Sequence, residues 1–302
     1  MMRFLVLGAA AGGGLPQWNC GCRNCVMARD PHSGLRPQTQ SSLAVSIDGE
    51  IWAILNASPD IRQQMHDNPQ LHPRCLRGTP VAGVVLTNCD IDHIAGLLVL
   101  REKQALDIFM TSALASILSE NPIFRALDPD FARQRTIALD EPFALLPGLT
   151  ATLFPVPGKV PLFMESEDLR IGTEDDQTIG IELTSGNTRA FYIPGCAHKS
   201  EGLAGRLHGA DLVFFDGTLF TDDEMIAMKT GTKTGRRMGH MPITGKDGSL
   251  DRLSALDIGR KIYIHINNTN PIWRDGPERD LVQRHGFEIA YDGMEVDVAD
   301  RS

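Results

Sequence analysis

The stretch Val84-Val85-Leu86-Thr87-Asn88-Cys89-Asp90-Ile91-Asp92-His93-Ile94-Ala95-Gly96 constrains this chain more than any other. A Val-rich apolar run breaks into Asn, Cys, two Asp and a His, then turns apolar again. A buried strand that empties into such a turn fixes two carboxylates and an imidazole between rigid structure on either side, which suits a cation. The same residues also suit a plain helix start, with Asp90 or Asp92 capping the first turn near the positive end of the helix dipole. The remainder of the chain has to decide between them.

With 302 residues, 42% of them hydrophobic, the chain can bury a large core without help from disulfides or a partner. No repeat or low-complexity linker divides it, so one domain over residues 1–302 is expected. A formal net charge of -9 and a pI near 5.5 argue against a nucleic-acid or anionic-membrane partner. The central apolar run at 94–100 is too short to insert in a bilayer, and residues 1–8 lack the pattern of a secretory signal, so a cytoplasmic protein is expected.

Three of the six cysteines fall in Cys20-Gly21-Cys22-Arg23-Asn24-Cys25. Thiols so close strain to pair with one another and would be oxidation-prone if left free, so a structural zinc held by a loop at about 16–34 is the better account. Three thiolates need a fourth ligand, from His32 or from far along the chain. Cys75, Cys89 and Cys196 are isolated and read as small buried residues. The Gly-rich run at 8–14 matches neither the dinucleotide nor the phosphate-loop spacing, and cysteines follow where a helix would be needed.

Other strands end in the same way as the opening stretch. Ile193 runs into Gly195, Cys196, Ala197 and His198; residues 210–216 form an apolar strand with Asp216 at its carboxyl end; residues 261–266 deliver His265. A hairpin is expected across Asp48-Gly49, a second across Ser185-Gly186-Asn187, a helix over 94–106, and strands at 136–139 and 160–164. Two blocks of strands, each followed by strand-helix units, predict two facing sheets with helices outside.

Thr87-Asn88-Cys89-Asp90-Ile91-Asp92-His93 resembles the His-x-His-x-Asp-His signature of the metallo-β-lactamase superfamily, with Asn88 and Asp90 at the leading histidine positions. Gln17 and the three cysteines resemble the zinc-stapled phosphodiesterase branch. From Leu7 to Cys20, through residues 87–96, to His265-Ile266-Asn267-Asn268-Thr269-Asn270-Pro271, the chain is identified as a member of the pyrroloquinoline quinone (PQQ) biosynthesis protein B family. The resemblance implies an αββα sandwich and a role in making that quinone. It also implies, for some members, iron-dependent hydroxylation of a tyrosine in a peptide-derived precursor, and an older proposal of carrying PQQ or its precursor toward the periplasm.

Against that background a two-metal hydrolase looks dismantled: Asn88 is a weak neutral ligand, and Pro157-Gly158-Lys159 stands where a third histidine is expected. Asp92, His93 and His265 remain, two imidazoles and one carboxylate, the composition of the facial triad of non-haem Fe(II) oxygenases. Zinc can fill the same ligands in a preparation. Asp90 is a further ligand candidate or a proton acceptor for a phenol; Asp216 and His240 are expected to be catalytic, His198 a candidate for substrate contact, and Lys199, Arg236 and Arg237 candidates for a precursor's carboxylates. Where the related phosphodiesterases complete their zinc with a histidine this chain has Asn268, which leaves the staple's fourth ligand to His32, an oxygen ligand or water. A tyrosine-derived small molecule or short peptide is the expected substrate, and PQQ the bound product.

Overall fold

A computed structural model describes residues 1–299; the last three residues of the expected 1–302 domain lie outside the described residues. The first sheet takes β1 (Met2–Gly8), β2 (Ser42–Ser46), β3 (Trp52–Leu55), β4 (Val81–Val85), β5 (Leu106–Met110) and β6 (Ala132–Thr136). The second takes β7 (Pro142–Leu146), β8 (Leu149–Pro155), β9 (Ile179–Ser185), β10 (Thr188–Ile193), β11 (Ala210–Asp216), β12 (Ile258–Ile264) and β13 (Phe287–Ile289). The final strand, β14 (Glu295–Val298), returns to pair with β1, giving the orders β14-β1-β2-β3-β4-β5-β6 and β13-β12-β11-β10-β9-β8-β7.

Each sheet is antiparallel in one part and parallel in the other: β3, β4, β5 and β6 run parallel, as do β10, β11, β12 and β13. The inner parallel strands β3, β5, β10 and β11 are largely buried on both faces, which is why they read as nearly continuous apolar runs, whereas β6 at the sheet edge is polar and mostly exposed. On β1, Phe4 and Val6 face the second sheet while Leu5 and Leu7 face the helices; the Phe4 ring meets Phe214 of β11 with centroids 5.5 Å apart. Helices Ile61–Asp67 and Ser112–Glu120 cover the first sheet, the latter capped by the Thr111 side chain accepting from Leu114 N. Glu201–Leu207, Ser249–Ser254 and Pro277–Arg284 bury apolar residues against the second sheet. The fold is the predicted αββα sandwich.

Four local expectations give way. Instead of a helix over 94–106 there is one turn, Ile91–Ile94, a 3-10 turn, Ala95–Leu98, and then irregular chain, with Lys103 at φ 57°. The apolar residues 97–100 serve a tight turn under the sheet, which periodicity over so few residues cannot separate from a helix. The strand at 136–139 lies earlier, at Ala132–Thr136, and residues 160–164 carry a 3-10 turn, Leu162–Met164, whose apolar side chains are exposed. Within the cysteine loop a helix, Arg23–Arg29, starts immediately after Cys22.

Candidate metal centre

The carboxyl ends of β4, β11 and β12 open on one edge of the sandwich, and the donor side chains lie there. After β4, Thr87 is fastened between the sheets: its amide donates to Asn56 Oδ1 at 2.9 Å and its carbonyl accepts from Ile179 N at 2.9 Å. The turn that follows is pressed against the loop after β3. Ala57 N donates to the His93 carbonyl at 2.8 Å, and Gly96 N donates to the Ala57 carbonyl at 2.9 Å. A Cβ on Gly96 would stand 2.2 Å from the Ser58 carbonyl oxygen, so only glycine permits this approach.

Asn88 is aimed behind His93. Its Oδ1 accepts from Asp90 N at 3.0 Å and from His93 Nδ1 at 2.6 Å. The Asp90 N–H fixes that atom as the oxygen, so His93 carries its proton on Nδ1 and turns a bare Nε2 lone pair forward. That Nε2 is buried and has no hydrogen-bond partner. An orphaned imidazole nitrogen beside Asp92 Oδ2, at 3.7 Å, suits a metal ligand.

His265 follows β12 in left-handed backbone, φ 58°, held there by Ile266 N donating to the Ala9 carbonyl at 3.0 Å and Asn267 N to the Thr218 carbonyl at 3.0 Å. Its Nδ1 lies 2.9 Å from Thr218 Oγ1, which lies 2.6 Å from Asp216 Oδ1. The proton chain therefore runs from His265 Nδ1–H to the hydroxyl and from the hydroxyl to the carboxylate, leaving Nε2 to face Asp92 Oδ2 at 3.1 Å. Asp92, His93 and His265 bring one donor atom each within 4.8 Å of one another. Burial disfavours the Asp92 charge; a protonated His93 or His265 beside it pulls its carboxyl below the usual range, the role a cation would take with both imidazoles neutral. The three residues fit a single cation.

Asp216 is fully buried and saturated. Besides Thr218 Oγ1 it accepts from Cys196 N at 2.9 Å, Thr218 N at 3.0 Å and His240 Nδ1 at 2.7 Å. Against the cost of burial, the neighbouring imidazoles and hydroxyl keep it ionised. Asp216, His240 and His265 also converge closely, but His240 spends its Nδ1 proton on the carboxylate and His265 spends its own on Thr218, so this second group is a hydrogen-bond relay rather than an ion cage. His240 stacks on His265 with centroids 5.2 Å apart and presents its other nitrogen at the cavity wall.

Asp90 stands outside the close donor group; its Oδ1 accepts from Leu162 N at 3.1 Å and tethers the segment between β8 and β9. His198 is exposed and does not line the cavity, and neither do Lys199 and Arg236; Arg237 reaches Glu165, which does line it. The cavity, about 500 Å³, is bounded by Asp92, His93 and His265 and also by Gly158, Lys159, Glu165 and Lys233.

Cys20, Cys22 and Cys25 also converge within 4.8 Å. The Asn268 amide lies 3.2, 3.6 and 3.2 Å from the three sulfurs, while His32 is exposed beyond the end of the helix. Turned half a revolution, the same amide offers Oδ1 where a fourth ligand belongs, so three thiolates together with Asn268 fit zinc. Burial pushes the Cys22 thiol up to about 12, a cost that thiolate coordination removes. Asn24 Nδ2 locks the Asn268 and Asn270 carbonyls at 2.9 and 2.8 Å.

Sequence reasoning overlooked Thr218 and, reading Asn88 only as a weak ligand, did not give it the hydrogen bond to His93. A Thr two residues beyond a strand-end Asp is a usable signal for such a relay.

Two facing sheets with imidazole and carboxylate donors gathered at strand ends define a metallo-β-lactamase-fold metalloprotein. A family model described as "Beta-lactamase superfamily domain" matches residues 51–266. The "Coenzyme PQQ synthesis protein B" of Rhizobium meliloti (strain 1021) is 65% identical over 98% of this chain and 97% of its own, and that of Ruegeria pomeroyi is 58% identical over 98% and 99%. The crystal structure of Zn(2+)-bound PqqB from Methylobacterium extorquens superposes with a TM-score of 0.96 at 49% identity, covering 98% of this chain and 100% of that one. The chain belongs to the coenzyme PQQ synthesis protein B family. Among the described residues no helix is long and apolar enough to cross a membrane.

Proposed function

We propose that the protein acts in PQQ synthesis as an iron-dependent oxygenase that hydroxylates a tyrosine-derived precursor. The observation that carries this is the ligand set itself: Asp92, His93 and His265, with both imidazole protons fixed on Nδ1 by Asn88 and Thr218. Fe(II) in a two-histidine, one-carboxylate set keeps positions open for substrate and O2 and supplies redox chemistry that zinc does not. Asn88 is committed to His93 and Asp90 to Leu162 N, which leaves little to hold the second metal of a hydrolase. His240, with its Nδ1 proton given to Asp216, keeps a basic nitrogen at the cavity wall where it can take a phenol proton.

The test is oxygen uptake by anaerobically Fe(II)-loaded protein on admission of O2, with a tyrosine-containing precursor and ascorbate as electron donor. Uptake coupled to a hydroxylated product, lost in Asp92→Ala and His265→Ala, is expected. PQQ binding with no oxygen consumed would instead favour a carrier.

A further inference from the structure

Lys159 and Lys233 in the cavity lining, together with Arg237 outside it, gather three cations around the Glu165 carboxylate. Glu165 Oε1 meets the Lys159 ammonium at 3.2 Å, and Oε2 meets Lys233 Nζ at 2.9 Å and Arg237 Nη2 at 3.2 Å. Lys159 and Glu165 are mostly buried, and the buried Arg237 Nη1 has no hydrogen-bond partner. Burial is unfavourable for Glu165, yet the three cations hold its carboxyl well below the usual range. A simple structural ion pair needs one cation; packing three against a single anion leaves an uncompensated positive charge that favours a further anion. The imbalance sits on a chain whose formal net charge is -9.

We propose that Lys159 and Lys233, backed by Arg237, form the carboxylate-recognition wall of this cavity, that Glu165 occupies them in the ligand-free protein as an internal competitor, and that the ligand is a small aromatic polycarboxylate. This rests on the cavity being the substrate site in PQQ synthesis. Glu165 lies on coil after the turn Leu162–Met164, so its carboxylate can give way without breaking a sheet. Lys159 and Lys233 can each donate a charge-assisted hydrogen bond to a ligand carboxylate, while Arg237 stays paired with Glu165. Met225 and Met238 in the cavity lining offer soft apolar contact for a ring, and about 500 Å³ is the volume of a small-molecule site. The ligand would lie with its carboxylates on this wall and its reacting carbon toward Asp92, His93 and His265.

The experiment is calorimetric titration of full-length, metal-loaded protein, without O2, with PQQ, a tricarboxylate, and with its neutral trimethyl ester. The ester should bind at least ~10-fold more weakly, since a charge-assisted hydrogen bond is worth about that factor or more. Lys233→Gln should weaken PQQ by ~10-fold and leave the ester unchanged. Glu165→Gln should tighten PQQ several-fold, because the competing charge is gone. Equal binding of PQQ and ester, no binding of PQQ, or loss of PQQ affinity in Glu165→Gln in step with Lys233→Gln overturns the proposal; melting curves show that each variant is folded. Because no turnover is read, an enzyme that consumes no oxygen can still pass, and an oxygenase with an uncharged ligand fails.

Discussion

Asn88 Oδ1 accepts a hydrogen bond of 2.6 Å from His93 Nδ1, so the residue standing at the first histidine position of the superfamily signature orients a ligand instead of being one. Asn88→Ala should therefore lower affinity for the active-site metal by ~10 to 100-fold. Asn88→Asp, which keeps an acceptor, should lose much less. Competition with a chromophoric chelator measures both, and equal affinity of Asn88→Ala and the unmodified protein would count against the orienting role.

Gly96→Ala should destabilise the fold by about 1 to 3 kcal/mol or more, because its Cβ would stand 2.2 Å from one backbone oxygen and 2.7 Å from another. The turn carrying His93 hangs on the same contact, through Ala57. The midpoint of urea unfolding and the metal content should fall together; a variant that melts like the unmodified protein would show that the loop after β3 moves aside freely.

Asn24 ties the backbone at Asn268 and Asn270, on the strand-end loop that also carries His265. Asn24→Ala leaves two buried carbonyls without donors, about 1 to 3 kcal/mol each. Active-site metal affinity should fall although Asn24 touches no donor of that site. Chelating the staple zinc should do the same, followed by metal analysis after brief dialysis. Retention of the active-site metal would show that the two sites are independent.

Burial pushes the Asp292 carboxyl up to about 7, against donors from Ala9 N, Thr39 N and Thr39 Oγ1, and pushes Glu224 up to about 7 as well. For an acid whose folded-state value is raised, the native chain binds the extra proton between the unfolded value near 4 and the folded one. Its contribution to stability is present at the acid end of that window and is lost as pH rises through about 7. The stability difference between the unmodified protein and Asp292→Asn should thus fall by up to about 1.4 kcal/mol per pH unit between roughly pH 5 and 7 and level off above. Asp92, Asp216 and Glu165, all held low, titrate below this window. A flat difference across it would mean that the donors keep Asp292 ionised throughout.

Asp92, His93, His265 and the three cysteines were legible because each departs abruptly from an apolar run or clusters at ligand spacing. Asn88, Thr218 and Asn268 were not, since an amide or hydroxyl acts through where its neighbour's proton points, and only coordinates show that. The Glu165 cluster spans residues 159–237 on coil without periodicity, so nothing in the order of residues announces it. β7 and β14 escaped because strands of five and four residues, the latter partly exposed, alternate too briefly to stand out from loops. The apolar runs of β4, β11 and the carboxyl half of β12 were plain, and these strands carry the donor residues at the sandwich edge.

One short span of chain, residues 265–270, begins as a ligand at one site and reaches the sulfurs of the other. If that span couples the two sites as predicted above, metal counts on this protein are not two independent tallies. In that case a preparation with half of its Cys20–Cys22–Cys25 sites filled would be a mixture of two kinds of molecule, not a uniform population at half strength. A rate divided by total protein would then understate the working molecule, and the proper denominator would be the metal bound at the cysteines.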